Sequence, residues 1–118
     1  MEMIIHLDSD VFDVVKNGKK DVEVRVNDLK RRKLKIGDTL IFLKRPNDDE
    51  EIRAEVMKLD YYDTFNSLVN NYEMERLYLD KFSKDEWLNL MERFYTKDEQ
   101  KLWGVVAICD LSGKMLQK

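Results

Sequence analysis

The segment Lys20-Asp-Val-Glu-Val-Arg-Val26 constrains this chain most, because valines and charged or polar residues alternate through it. A period of two puts Val22, Val24 and Val26 on one face of a β-strand and Asp21, Glu23 and Arg25 on the other. The valine face must be buried against something, so a sheet with a core is expected here. Charges opposite a valine stripe read first as a solvent-exposed face, where an ion pair contributes about 0–1 kcal/mol.

Other segments supply partners for that strand. Met3–Leu7, Thr39–Lys44, Glu51–Met57 and Trp103–Asp110 are strand-sized and apolar or alternating, which makes five strands in all. Val11, Phe12, Val14 and Val15 recur at helical spacing after a cap at Asp8 or Ser9, and Gly18 is the expected stop. Thr64 is expected to cap a short helix carrying Phe65, Leu68 and Val69. Ser83-Lys-Asp-Glu86 and Thr96-Lys-Asp-Glu99 both have the spacing of a capping box. The first should open a helix with Trp87, Leu88, Leu90, Met91 and Phe94, the second a single turn. Residues 72–82 read equally as helix or loop, and the tail after Ser112 is expected to fray. Helices do not alternate regularly with strands, so an α+β domain or helix-decorated barrel is expected, not a doubly wound sheet.

The 118 residues suit one domain, and 43% apolar content is enough for one modest core. A single cysteine, Cys109, forms no internal bridge and suits a reducing compartment. Charges at Glu2, Asp8 and Asp10 argue against a signal peptide, and no apolar run reaches membrane-spanning length, so a cytoplasmic location is expected. One histidine and one cysteine, far apart, give no basis for a metal site or Cys-His catalysis. The four glycines are scattered and form no phosphate loop, and no cofactor is expected. His6 is read as a satisfied or surface histidine, and Cys109 as a small core residue.

Charge is unevenly placed. Residues 16–35 carry nine basic side chains against three acidic ones, in a chain whose net charge is −3. Such a segment creates a local field that attracts anions. Lys20, Glu23 and Arg25 are candidates for a pocket that takes a phosphate or nucleobase, and Arg31, Arg32 and Lys33 for steering phosphates. Tyr61, Tyr62, Tyr95 and Trp103 sit at element ends and are candidate stacking rings, with Trp103 the most readily explained as core cover. A protein-interaction domain whose basic loop meets an acidic partner accounts for the same charges.

The run Gly18-x-Lys20-x-x-Glu23-x-Arg25 resembles the signature of ASCH domains, which share the PUA-like fold. The resemblance continues through Val26-Asn-Asp28, Gly37-Asp38, Thr39–Phe42, Tyr62–Phe65, Phe94-Tyr95 and Trp103–Ile108. It implies a PUA-like mixed β-barrel of five or six strands with two or three peripheral helices. It also implies a cleft, walled by the signature residues, for single-stranded RNA, a nucleotide or a modified nucleoside. One branch of the family hydrolyses N4-acetylcytidine, so the resemblance also implies an amidohydrolase, or a nuclease acting on RNA, as alternatives. On this chain the branch's catalytic lysine falls on Lys20 and its catalytic threonine on Glu23, which is a departure. Its third residue, a glutamate, has only Glu73 or Glu75 to fall on. A carboxylate at Glu23 favours the ammonium form of Lys20, and this leans toward binding over base catalysis.

Overall fold

The structure is a computed structural model that describes residues 1–18, 20–77, 83–109 and 116–117, with no side-chain account of residues 74, 75, 116 and 117. In chain order the elements are β1 (Glu2–Leu7), α1 (Ser9–Lys16), β2 (Glu23–Val26), a 3-10 turn (Arg31–Lys33), β3 (Thr39–Lys44), β4 (Glu51–Glu55) and β5 (Lys58–Tyr62). There follow α2 (Phe65–Val69), a second 3-10 turn (Met74–Leu77), α3 (Lys84–Phe94), α4 (Lys97–Trp103), β6 (Val105–Cys109) and β7 (Leu116–Gln117). The strands form two sheets, in the orders β1-β3-β4-β7 and β2-β6-β5.

The architecture is α+β, as expected, but the expected barrel is not what forms. Among the described residues no ladder joins the two sheets. They approach at one corner, where β4 runs almost directly into β5 and the Met57 amide donates to the Cys109 carbonyl at 3.4 Å. On the other side β1 and β2 are edge strands that do not pair with each other. The chain between them is taken up by α1, by the Gly18 stop at φ 76°, and by residues 20–22, which leave the ladder. The opening between β1 and β2 is where the candidate site lies.

Several local expectations hold. Ser83 and Glu86 form a reciprocal capping box, as do Thr96 and Glu99, and the Thr64 side chain accepts from the Ser67 amide. Each satisfies amides that the first turn of a helix leaves without a partner. Several boundaries differ, β4 for instance ending at Glu55 and not at Met57. The second helix of the pair is seven residues long and includes Trp103, so β6 starts only at Val105. Gly104 makes the joint at φ 71°, and an added Cβ there would meet the Tyr62 carbonyl at 3.1 Å. β5 was not expected, because Lys58-Leu-Asp-Tyr-Tyr62 has a single aliphatic residue. It exists because β6 has a free side to pair with, from Lys58 opposite Cys109 to Tyr62 opposite Val105. Asp110, residues 78–82 and most of the tail after Ser112 lie outside the described residues.

The core has two layers, with the second sheet between them. Met3, Ile5, Leu7, Leu40, Phe42, Ile52 and Ala54 of the first sheet, with Val56 just after β4, pack with Phe12 and Val15 of α1 against Val106 and Ile108. On the other face of the second sheet, Val22, Val24, Val26, Val105, Ala107 and Cys109 pack against Phe65, Leu68, Val69, Leu77 and Trp87. Every residue of β6 is therefore buried. Directly paired residues in antiparallel strands share a face. Glu23 pairs with Ile108 and Arg25 with Val106, so the charged face of β2 looks inward, between the sheets. The alternation is real, but the charged side of β2 is not the solvent side.

Candidate functional site

The site begins with a row of ionised groups on that inward face. Glu23 is only 5% exposed and Lys20 only 6%. Glu23 bridges two cations: its Oε1 is 3.4 Å from the Lys20 Nζ, and its Oε2 accepts from the Arg25 Nη2 at 3.0 Å. The Lys20 Nζ also donates to the Val22 carbonyl at 2.5 Å, and the Val22 amide donates to the Arg76 carbonyl at 3.3 Å, ahead of the ladder that begins at Glu23. The Arg25 Nη1 donates to the Tyr95 hydroxyl at 3.5 Å, linking the row to the chain just after α3.

Burial governs the protonation of these groups. It holds the Lys20 amine below its ordinary range, and Glu23 only partly offsets this. The expectation that Glu23 dominates Lys20 is therefore reversed in sign. Burial pushes the Glu23 carboxyl up, but Arg25 and Lys20 together outweigh it and hold the group below the usual carboxylate range. The Glu23 carboxylate, acting against burial, makes the Arg25 guanidinium still harder to deprotonate.

A groove of about 440 Å³ opens over this row. Its floor is Lys20, Glu23, Val24 and Arg25. One wall comes from the end of the first sheet and the start of α1: His6, Leu7, Asp8, Val11 and Arg45. Another is apolar, from α3 and its neighbours, and includes Trp87, Leu90, Met91, Phe94 and Tyr95. Phe94 is 68% exposed, a large ring in a position where packing does not require it. A larger depression of about 710 Å³ lies among α2, α3 and α4. Its charged lining residues, Asp63, Glu92, Lys97 and Lys101, are all exposed and of mixed sign, and no buried ionisable group faces it. Chemistry therefore favours the smaller groove.

The structure brings Lys20, Glu23 and Arg25 together and places Tyr95 beside them, while the other candidates are elsewhere. Arg31 lies close enough to Arg25, Tyr95 and Glu23 to feel their charges, and burial followed by Arg25 holds its guanidinium below the usual range. Its Nε is buried with no hydrogen-bond partner. Arg32 is engaged structurally: it donates to the carbonyls of Asn27 at 2.8 Å and Trp103 at 3.1 Å, and its guanidinium lies 5.4 Å from the centre of the Trp103 ring. Lys33 is exposed and does not line the groove. Tyr61 is exposed on β5, the far strand of the sheet from β2, and Tyr62 packs edge-on against Tyr72. Glu73 is exposed and away from the groove, and the Glu75 side chain lies outside what is described. Arg45 and Phe94 were missed. Arg45 carried no sequence signal, and Phe94 fitted the apolar stripe of α3 and passed for core.

No group of three or more metal-ligating side chains occurs among the described residues, and no described helix is long and apolar enough to cross a membrane. No curated protein matches the sequence. Among the solved structures that resemble the chain are two of particular note. One is the crystal structure of the hypothetical protein PH0355, at 26% identity and TM-score 0.81, with all of both chains covered. The other is the solution structure of protein PF0455 from Pyrococcus furiosus, at 29% identity and TM-score 0.68, covering 92% of this chain and 94% of that one. The ASCH domain profile matches residues 5–109, which include the buried row, β2 to β6 and α1 to α4. With that match over nearly its whole length, the chain belongs to the ASCH domain family, a family linked to RNA binding.

Proposed function

We propose that this domain binds single-stranded RNA or a nucleotide by holding one unpaired base in the groove between β1 and β2. The observation that carries this is the pairing of a buried hydrogen-bonding row, Lys20–Glu23–Arg25, with an apolar wall ending in the exposed ring of Phe94. A base needs both surfaces, a polar edge to read and an apolar face to cover. At about 440 Å³ the groove suits a mononucleotide and is far too small for a duplex. Glu23 keeps lone pairs beyond the two it gives to Lys20 and Arg25, so it can still accept from an amino or imino group.

Fluorescence anisotropy with a short labelled RNA tests the reading. The wild type is expected to bind the single strand and to ignore the same sequence as a duplex. Arg25→Gln, which keeps a polar side chain but loses the charge, is expected to weaken binding at least tenfold, since hydrogen bonds to charged groups contribute about 1.5–3 kcal/mol. Equal binding of duplex and single strand, or an Arg25→Gln variant that binds like the wild type, would remove the groove from recognition.

The basic loop is a separate matter. Arg31→Gln with Lys33→Gln, leaving Arg32 on its carbonyls, is expected to lower affinity at low salt with no change in sequence preference. It should flatten the dependence of log K on log salt by roughly one phosphate's share, about 0.7 for a single strand. An unchanged slope would show that the loop meets no phosphate.

A further inference from the structure

We propose that Arg45 is the phosphate anchor of the groove, so that a nucleotide lies with its base over Glu23 and Arg25 and its phosphate at the end of β3. This rests on the nucleotide-binding reading and adds a direction to it. Neither the family signature nor the basic segment at residues 16–35 contains Arg45.

The argument starts from which cations in the groove are already engaged. Lys20 and Arg25 line it, but both are held on Glu23. Outside the groove, Lys44 lies between Asp13 at 3.2 Å and Glu50 at 3.0 Å, and Lys16 lies on Glu50 at 3.2 Å. Arg32 is spent on the Asn27 and Trp103 carbonyls. Arg45 is different: it lines the groove, it is exposed, and no carboxylate among the described residues lies within ion-pairing distance of it. Its backbone is fixed, because its amide donates to the Leu7 carbonyl at 2.8 Å and extends the β1–β3 pairing by one residue. A guanidinium on an anchored backbone presents a planar fork suited to two phosphate oxygens.

The neighbouring groups set the limits of the site. Asp8 lines the same wall and would repel an anion placed near it. His6 shares the wall, with its Nδ1 3.3 Å from the Asp48 carboxylate. A phosphate is therefore favoured only close to the Arg45 fork, which makes the contact positional and not a diffuse attraction. The composition of the lining suits this arrangement. Its polar floor on β2 and Arg45 after β3 are separate parts of one lining, and a mononucleotide has its hydrogen-bonding edge and its phosphate at separate ends.

Isothermal titration of cytidine, uridine, adenosine and guanosine, each against its 5′- and 3′-monophosphates at fixed salt, decides the point. For the base that binds, one of the two monophosphates is expected to bind the wild type about tenfold more tightly than the nucleoside, as a charge-assisted contact should give. Arg45→Gln is expected to abolish that advantage and leave nucleoside affinity within about twofold. Arg45→Lys, with its charge but not its fork, should keep part of it. The proposal is overturned if Arg45→Gln keeps the full advantage, or if it weakens nucleoside and nucleotide alike. Equal binding of nucleosides and monophosphates by the wild type would overturn the anchor and leave the base pocket standing. Binding of neither would overturn both readings.

Discussion

Glu23→Ala is expected to destabilise the domain by roughly 3–5 kcal/mol, the usual result of removing one member of a buried ion pair. The reason is the burial of what remains, because Lys20 is only 6% exposed and would lose the carboxylate it is paired with. Against a total stability of about 5–15 kcal/mol, this is a large fraction. The pH dependence identifies the cause. Burial already holds the Lys20 amine below its ordinary range, and without Glu23 it would fall further. Between that lowered value and the unfolded value near 10.4, the unfolded chain binds the extra proton, so stability rises with pH. The variant should therefore recover part of its deficit as pH rises from neutral toward 10. At the acid end the sign is opposite. Glu23 is held below the usual carboxylate range, so its contribution is present above about 4.3 and is lost as pH falls through its folded value. The gap between wild type and variant should narrow at both extremes. Urea unfolding across pH measures it, and a loss below about 1 kcal/mol at neutral pH would show that Lys20 finds water or another partner. A Lys20→Met, Glu23→Leu double variant should be more stable than Glu23→Ala, since the buried amine is removed along with the attraction and only the better-exposed Arg25 is left without its carboxylate.

Phe94→Ala is expected to lower affinity for single-stranded RNA about tenfold or more and to leave folding almost untouched. Stacking of a base on an aromatic ring contributes about 1–3 kcal/mol, whereas an exposed side chain outside the core usually changes stability by no more than about 0.5 kcal/mol. Phe94 is 68% exposed at the end of α3, so the two effects separate cleanly. Phe94→Trp should bind as well as the wild type or better. Anisotropy titration alongside thermal unfolding provides both readouts. Unchanged affinity in the alanine variant would mean that the base, if bound, does not rest on this wall, and Tyr95 would be the next ring to test. A simultaneous fall in Tm would mean instead that the ring supports α3.

These two residues show how differently the sequence spoke about parts of one site. Glu23 was legible, because it sits in an alternating strand and in a recognisable signature. Phe94 was visible as a residue but not as a site, since its spacing in α3 is that of a core residue. Helical spacing says that residues share a face; it does not say that the face continues past the last packed turn. Arg45 was silent. It follows a strand and precedes a proline, and only the pairing of β1 with β3 carries it to the groove.

What the sequence determined by itself was local. The two capping boxes, the Thr64 cap, the Gly18 stop, the α+β class and the strands β1 to β4 and β6 all follow from residues within a few positions of one another. Caps and periodicities act over three or four residues, so a linear reading captures them. The tertiary structure decided which face of β2 is inside, because alternation defines two faces without saying what covers each. Here neither is a plain solvent face: helices α2 and α3 take the valines, and Glu23 and Arg25 line the groove beside the first sheet. It decided that β5 exists, since that strand depends on a vacant side of β6 some 45 residues away. It left β1 and β2 unpaired, and so made an open groove where the resemblance implied a closed barrel. It also decided which charges are available, by engaging Arg32 on two carbonyls and leaving Arg45 without a carboxylate partner among the described residues. Each of these outcomes is a contact between segments far apart in the chain, and its energy comes from burial and desolvation that no short window of sequence contains.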